Sequence, residues 1–259
     1  MDIGVQIHPQ HGSAEATLEA WRRADECGFS SVWTWDHVGP LKPGARVASL
    51  EAWTLLAAAA MTTRRARIGV LVSCVTLRAP ELVADMARTV NEISGGRVVI
   101  GLGAGWREED CVAYQIAFPG VRKRLALLEG GVERIRRRLV DCGAGGIPIM
   151  IGGGRPALLH ASRCSAWNFI GSAPEFAALS SELETSCLAA GRDASSVARS
   201  VLLRPTDEPD AASYVRAGAS ELILGWPAPF ETESLERRRE QVLADVAVPV
   251  SVPAPQTEV

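Results

Sequence analysis

The sequence predicts an α/β protein built as a (β/α)8 barrel, and three observations carry that prediction. Short β-rich runs alternate with helical patterns from one end of the chain to the other. The strand runs are almost continuously apolar, the pattern of a parallel sheet covered by helices. Eight such units fit in 259 residues, which matches this barrel in count and size. A doubly wound open sheet is the competing architecture, but it usually carries a dinucleotide fingerprint after its first strand. None follows Ile3–Ile7.

Ile3–Ile7 reads as the first strand, and Leu18, Trp21, Ala24 and Cys27 then mark one helical face that Gly28 stops. Ser31–Trp35 is the second strand and the Ala/Leu-rich Glu51–Met61 the helix after it. Arg67–Val72 is the third strand, followed by a helix over Pro80–Ile93 that opens on proline. Val98–Gly101 leads into a long Arg-rich helix around Arg122–Leu139. Pro148–Ile151, Ala166–Ile170, Arg199–Arg204 and Glu221–Leu224 supply the remaining strands. Their helices are expected at Pro156–Arg163, Pro174–Ala190, Asp210–Ala217 and Glu233–Val246. One barrel domain is expected over 1–247. Residues 248–259 hold three prolines and no periodicity, so they read as a flexible tail.

Composition narrows the function. Hydrophobic residues make up 47% and charged residues 22%, which is globular. Thirty acidic against 27 basic residues leave a net charge of -3 and no basic stripe, so no nucleic-acid partner is expected. No apolar run is long enough for a membrane span. The N-terminus MDIGVQIHPQ lacks a signal core, so a cytoplasmic location is expected. Six cysteines form no CxxC pair and four histidines show no HExxH spacing, so no metal site is expected.

In such a barrel, chemistry sits where the strands end. Those positions are Gln6 and His8; Trp35, Asp36 and His37; Ser73 and Cys74; Gly103 to Trp106; Gly152 to Gly154; Gly171 and Ser172; Arg204; and Trp226. Paired carboxylates for glycoside hydrolysis are missing from this set, as is a lysine for Schiff-base chemistry. It is rich in glycine and tryptophan, which suits a flat, π-faced cofactor lying over the mouth.

The run IGGGRP, Ile151 to Pro156, is the strongest local signal. Glycine brings bare N–H groups close to an anion, and the start of the next helix adds positive partial charge. Arg155 offers an ionic contact. The competing reading is a tight turn with no ligand. GLGAGW, Gly101 to Trp106, only superficially matches GxGxxG. It implies either a backbone kept thin beside a ligand or a plain turn with a packing tryptophan. In WTWDH, His37 is placed to hydrogen-bond a cofactor or move a proton, unless Asp36 caps a loop and His37 bonds to backbone. Cys74 shows no activating base and is not read as a nucleophile.

Taken together, these stretches resemble the bacterial luciferase-like flavin and deazaflavin oxidoreductases, most closely the subset using coenzyme F420. The carrying residues are SVWTWDH, LEAWTLLAAAAMTTRRARIGVLVSCVTLRAP, NEISGGRVVIGLGAGW, Phe118–Pro119, IGGG and WNFIGS. The resemblance covers roughly residues 1–205 and implies a TIM-like barrel, a small-molecule substrate and a homodimer. It implies catalytic roles at the ring for His37 and Asp36, and ring contacts from Ser73, Cys74, Gly103 and Trp106. It also implies a non-prolyl cis bond at Ser73–Cys74, and a phosphate held by Gly152, Gly153, Gly154, Gly171 and Ser172. F420 is the expected cofactor, with FMN and monooxygenation as the alternative. A degenerate, cofactor-free member is the second alternative.

Three departures stand out. Sugar-phosphate dehydrogenases of the family carry a glutamate where Ala104 stands. The luciferase-type RHP reads Arg78-Ala79-Pro80. The Leu139–Ile147 stretch is short where relatives insert residues that shape the substrate pocket, which implies an open site, a partner-completed site or a protein that has lost the cofactor.

Overall fold

The computed structural model describes residues 1–39, 41, 49–207 and 210–247. The expected tail, 248–259, lies outside the described residues. Eight parallel strands close into a barrel in sequence order, with β1 paired to both β2 and β8. They are β1 (Asp2–His8), β2 (Ser31–Thr34), β3 (Arg67–Cys74), β4 (Val98–Gly103), β5 (Ile149–Gly152), β6 (Ala166–Phe169), β7 (Ala198–Leu203) and β8 (Glu221–Pro227). The described helices are α1 (Ala14–Glu26), α2 (Ala52–Thr62), α3 (Pro80–Ser94), α4 (Glu108–Val112), α5 (Val121–Asp141), α6 (Leu158–Ala161), α7 (Ala173–Ala189), α8 (Ala211–Arg216) and α9 (Thr232–Ala247). None is long and apolar enough to cross a membrane.

Strand alternation divides the core in two. Trp33, Leu71, Val99, Met150, Ala166, Leu202 and Ile223 form one buried cluster inside the ring. Their sequence neighbours Val32, Val70, Ile100, Ile149, Ile151, Val201, Leu222 and Leu224 face outward into the larger core beneath the helices. This two-sided burial explains why the strand runs read as continuously apolar.

At the barrel's N-terminal end, Asp25 of α1 holds the turn that leads into β3. Its carboxylate, on a residue only 4% exposed, accepts the backbone N–H groups of Arg64, Arg65 and Ala66 at 2.9, 2.9 and 2.7 Å. Burial alone would raise its pKa, but these donors outweigh burial and hold the carboxyl below its ordinary value.

The structure corrects three expectations. The helix expected at Pro156–Arg163 shrinks to a 3-10 turn, Arg155–Ala157, followed by α6. The cis peptide expected at Ser73–Cys74 lies instead at Leu71–Val72, where the β3–β4 register slips between Val70 and Ser73. There Leu71 O accepts a 2.6 Å bond from Gln6 Nε2, and Val72 turns its side chain into the barrel. The short 142–148 connection, finally, runs from the end of α5 to the start of β5. In a parallel barrel that places it at the rim opposite the strand C-termini, so its length does not shape the mouth.

Candidate active site

His37 lies just beyond β2 at the barrel mouth, with its side chain 18% exposed. Its ring meets Trp35 and Trp106 edge-on, with centroids 5.7 and 5.3 Å away. Trp35 stacks on His8 at 4.2 Å and donates from Nε1 to Ser49 Oγ at 2.9 Å. His8, Trp35, His37 and Trp106 therefore form a continuous run of rings across one side of the mouth. Burial, with His37 nearby as a second cause, pushes the His8 pKa down to about 4, so its imidazole is neutral at neutral pH.

Nδ1 of His37 lies 2.7 Å from Asp110 Oδ2. The other Asp110 oxygen accepts the N–H groups of Val38 and Gly39 at 3.3 and 3.0 Å and Arg107 Nη1 at 3.1 Å. One carboxylate, 7% exposed, thus fixes both the ring and the backbone that carries it.

Asp36, expected at the ring beside His37, turns to other partners. Asp36, with a side chain 2% exposed, receives Arg78 through two bonds of 2.6 and 2.9 Å. It also accepts the Cys74 N–H at 3.2 Å. Burial pushes its pKa up, against the pull of Arg78. Arg78 continues to Glu51, the N-cap of α2, at 2.5 Å. Asp36 therefore braces the β3 turn from behind, out of reach of the mouth. Ser73 likewise points away, its buried hydroxyl accepting from Trp53 Nε1 at 2.9 Å. Cys74 Sγ shares the Thr76 hydroxyl with Cys111, at 3.0 and 3.2 Å, and burial raises its pKa.

Most of the mouth glycines answer to the protein itself. A Cβ on Gly103 or Gly152 would come within 2.6 or 2.8 Å of Val72 side-chain atoms. One on Gly105 would meet Cys74 Sγ at 2.4 Å. Gly153 has φ +143 and donates its N–H to Asn168 O at 3.1 Å. Gly154 differs: its backbone is extended and a Cβ there would meet nothing within 4 Å. Neither packing nor conformation requires glycine at that position, so the turn keeps open room for a ligand. The nearby charges are engaged. Arg155 pairs with Glu182, and Ser172 donates its N–H and hydroxyl to Glu175 at 3.0 and 2.9 Å. Gly171 accepts from Tyr214 through its carbonyl at 2.6 Å.

The connection after β4 (104–120) carries α4, whereas 153–154, 170–172 and 228–231 are short. Trp106, at the start of the β4 connection, is 71% exposed. Sequence reasoning missed Asp110, Arg78, Glu51, Val72 and Glu175. Asp110 left one signal, the acidic run Glu108–Asp110 just after GLGAGW with Arg107 three residues earlier.

Fold and site together define a (β/α)8 protein with its candidate site at the strand C-termini. Residues 1–141 match the luciferase-like monooxygenase family, and the chain belongs to it. It is 33% identical over 138 residues to the F420-dependent glucose-6-phosphate dehydrogenase of Amycolatopsis mediterranei, covering 52% of this chain and 41% of that protein. It is 26% identical over 175 residues to the 5,10-methylenetetrahydromethanopterin reductase of Archaeoglobus fulgidus, covering 62% and 49%. The matched region thus spans less than half the length of either relative. Among solved structures, an F420-dependent secondary alcohol dehydrogenase in complex with an F420-acetone adduct superposes with a TM-score of 0.81 at 18% identity, covering 95% and 99%.

Proposed function

We propose that this protein is an F420-dependent oxidoreductase acting on a small organic substrate at the barrel mouth. One observation carries the reading: a carboxylate-backed imidazole set edge-on between two indoles, in a chain similar to an F420-dependent dehydrogenase. The deazaflavin ring of F420 supplies hydride transfer at its C5. The chain's part is to seat the ring, exclude water and handle the proton. Trp35, Trp106 and His8 offer aromatic faces and edges, Val72 with Gly103 and Gly152 forms the floor beneath, and the Gly152–Gly154 turn leaves space for the phosphate. Ser172 joins that cradle once Glu175, itself exposed, swings away. His37 Nε2, which makes no hydrogen bond among the described residues, accepts or returns the substrate proton. Ala104 supplies no carboxylate, so a sugar-phosphate substrate is disfavoured. A homodimer belongs to the same reading and is checked by sedimentation.

Two expected results test it. His37→Ala should lower turnover ~10- to 1,000-fold with F420 affinity and fold retained; unchanged turnover reduces His37 to a loop residue. Gly154→Val is the cleaner probe of the phosphate turn, because Gly153 at φ +143 would be strained by any side chain. Titration of F420 and FMN into both proteins should show wild-type binding of F420 weakened ~10-fold or more by the valine, with melting temperature unchanged. Binding of neither cofactor to wild type overturns the reading, and preference for FMN turns it toward monooxygenation.

A further inference from the structure

We infer that Asp110 is a positioning residue that holds His37 in a single tautomer, with the proton on Nδ1 and the Nε2 lone pair open to the mouth. The inference rests on the reading above, in which His37 handles the substrate proton. The two carboxylate oxygens of Asp110 divide their partners between them. Oδ1 is fully committed to donors: the Val38 and Gly39 N–H groups and Arg107 Nη1. Oδ2 alone faces the ring, 2.7 Å from Nδ1. A carboxylate only accepts, so Nδ1 must be the donor. Nε2 is then left as the acceptor. Trp35 and Trp106, both edge-on to the imidazole, block it from turning over.

The same arrangement predicts what an isosteric change does. In Asp110→Asn the amide oxygen stays with the three donors, because an NH2 group there would face N–H against N–H. The NH2 group is thereby turned toward His37, and it can only donate. Nδ1 must become the acceptor and the proton moves to Nε2, where it opposes uptake of a substrate proton. An isosteric substitution would invert the ring without moving it.

The test is a long-range nitrogen–proton NMR spectrum of histidine-labelled protein without cofactor, at alkaline pH, with His37→Ala to assign the signals. Wild type should show Nδ1 protonated and Nε2 bare, and Asp110→Asn should show the reverse at an unchanged melting temperature. An Nε2–H tautomer in wild type overturns the proposal even if the variant fails to fold. So does a variant with the wild-type tautomer. Turnover with F420 should fall ~100-fold or more in Asp110→Asn. Full turnover in the variant also overturns the role. Tautomer inversion in a chain that binds no F420 supports the Asp110 assignment while removing the proposed cofactor.

Discussion

Asp25→Ala is expected to lower the unfolding free energy by about 3–4 kcal/mol, with no change in any property of the barrel mouth. Three consecutive backbone donors, Arg64, Arg65 and Ala66, end on this one carboxylate. Leaving a buried donor unpaired costs about 1–3 kcal/mol, and water can reach some of the freed groups but not all. Arg64 and Arg65 are exposed whereas Ala66 is 2% exposed, so the Ala66 N–H carries the largest penalty. Asp25→Asn should be intermediate, because its amide keeps one acceptor and aims N–H groups at another donor. Since the folded pKa lies below the ordinary 3.8, the contribution is complete above that value. It is lost as pH falls through the lower folded pKa. Urea denaturation of the three proteins is the measurement. A loss below about 1 kcal/mol for the alanine variant would mean that water replaces the carboxylate.

His8 should make the protein acid-labile well above the range where carboxylates titrate. Its folded pKa is about 4 against an ordinary 6.5, so the unfolded chain takes up a proton that the native state refuses. Above pH 6.5 both forms are neutral and stability is undiminished. Between 6.5 and 4 this residue removes up to ~1.4 kcal/mol per pH unit, on the order of 3 kcal/mol in all. His8→Gln loses the stacking on Trp35 and is weaker at neutral pH, but its stability should fall less steeply over the same window. His160, whose pKa is also lowered by burial, requires a His160→Gln control. Parallel stability curves for wild type and His8→Gln would show that His8 charges within the fold.

The barrel was legible because each of its layers left a local trace: apolar runs for strands buried on both faces, and proline or glycine at the turns. All eight strands appear within a few residues of their expected positions. The candidate site was legible only where it lies along the chain. His37, Trp106 and the Gly152–Gly154 turn are strand-end residues and announce themselves by position. What remained hidden are pairings between units. Asp110 reaches back to His37 from a five-residue helix too short for a periodic signal, and Arg78 crosses to Asp36 from the next unit. The glycines misled for the same reason. Gly103 and Gly152 read as room for a ligand, but the space they leave is taken by Val72, turned inward by a register slip that no spacing rule foretells. The cis bond lies two residues before its expected place, within the same register slip.

The short crossings offer ground for change apart from the residues that orient His37. Both members of the His37–Asp110 pair belong to the first half of the sequence. The crossings 153–154, 170–172 and 228–231, after β5, β6 and β8, belong to the second. Lengthening 170–172 would add residues where a strand ends without touching a contact that orients His37. A new ligand preference written into that crossing is expected to leave the His37–Asp110 pair as it stands.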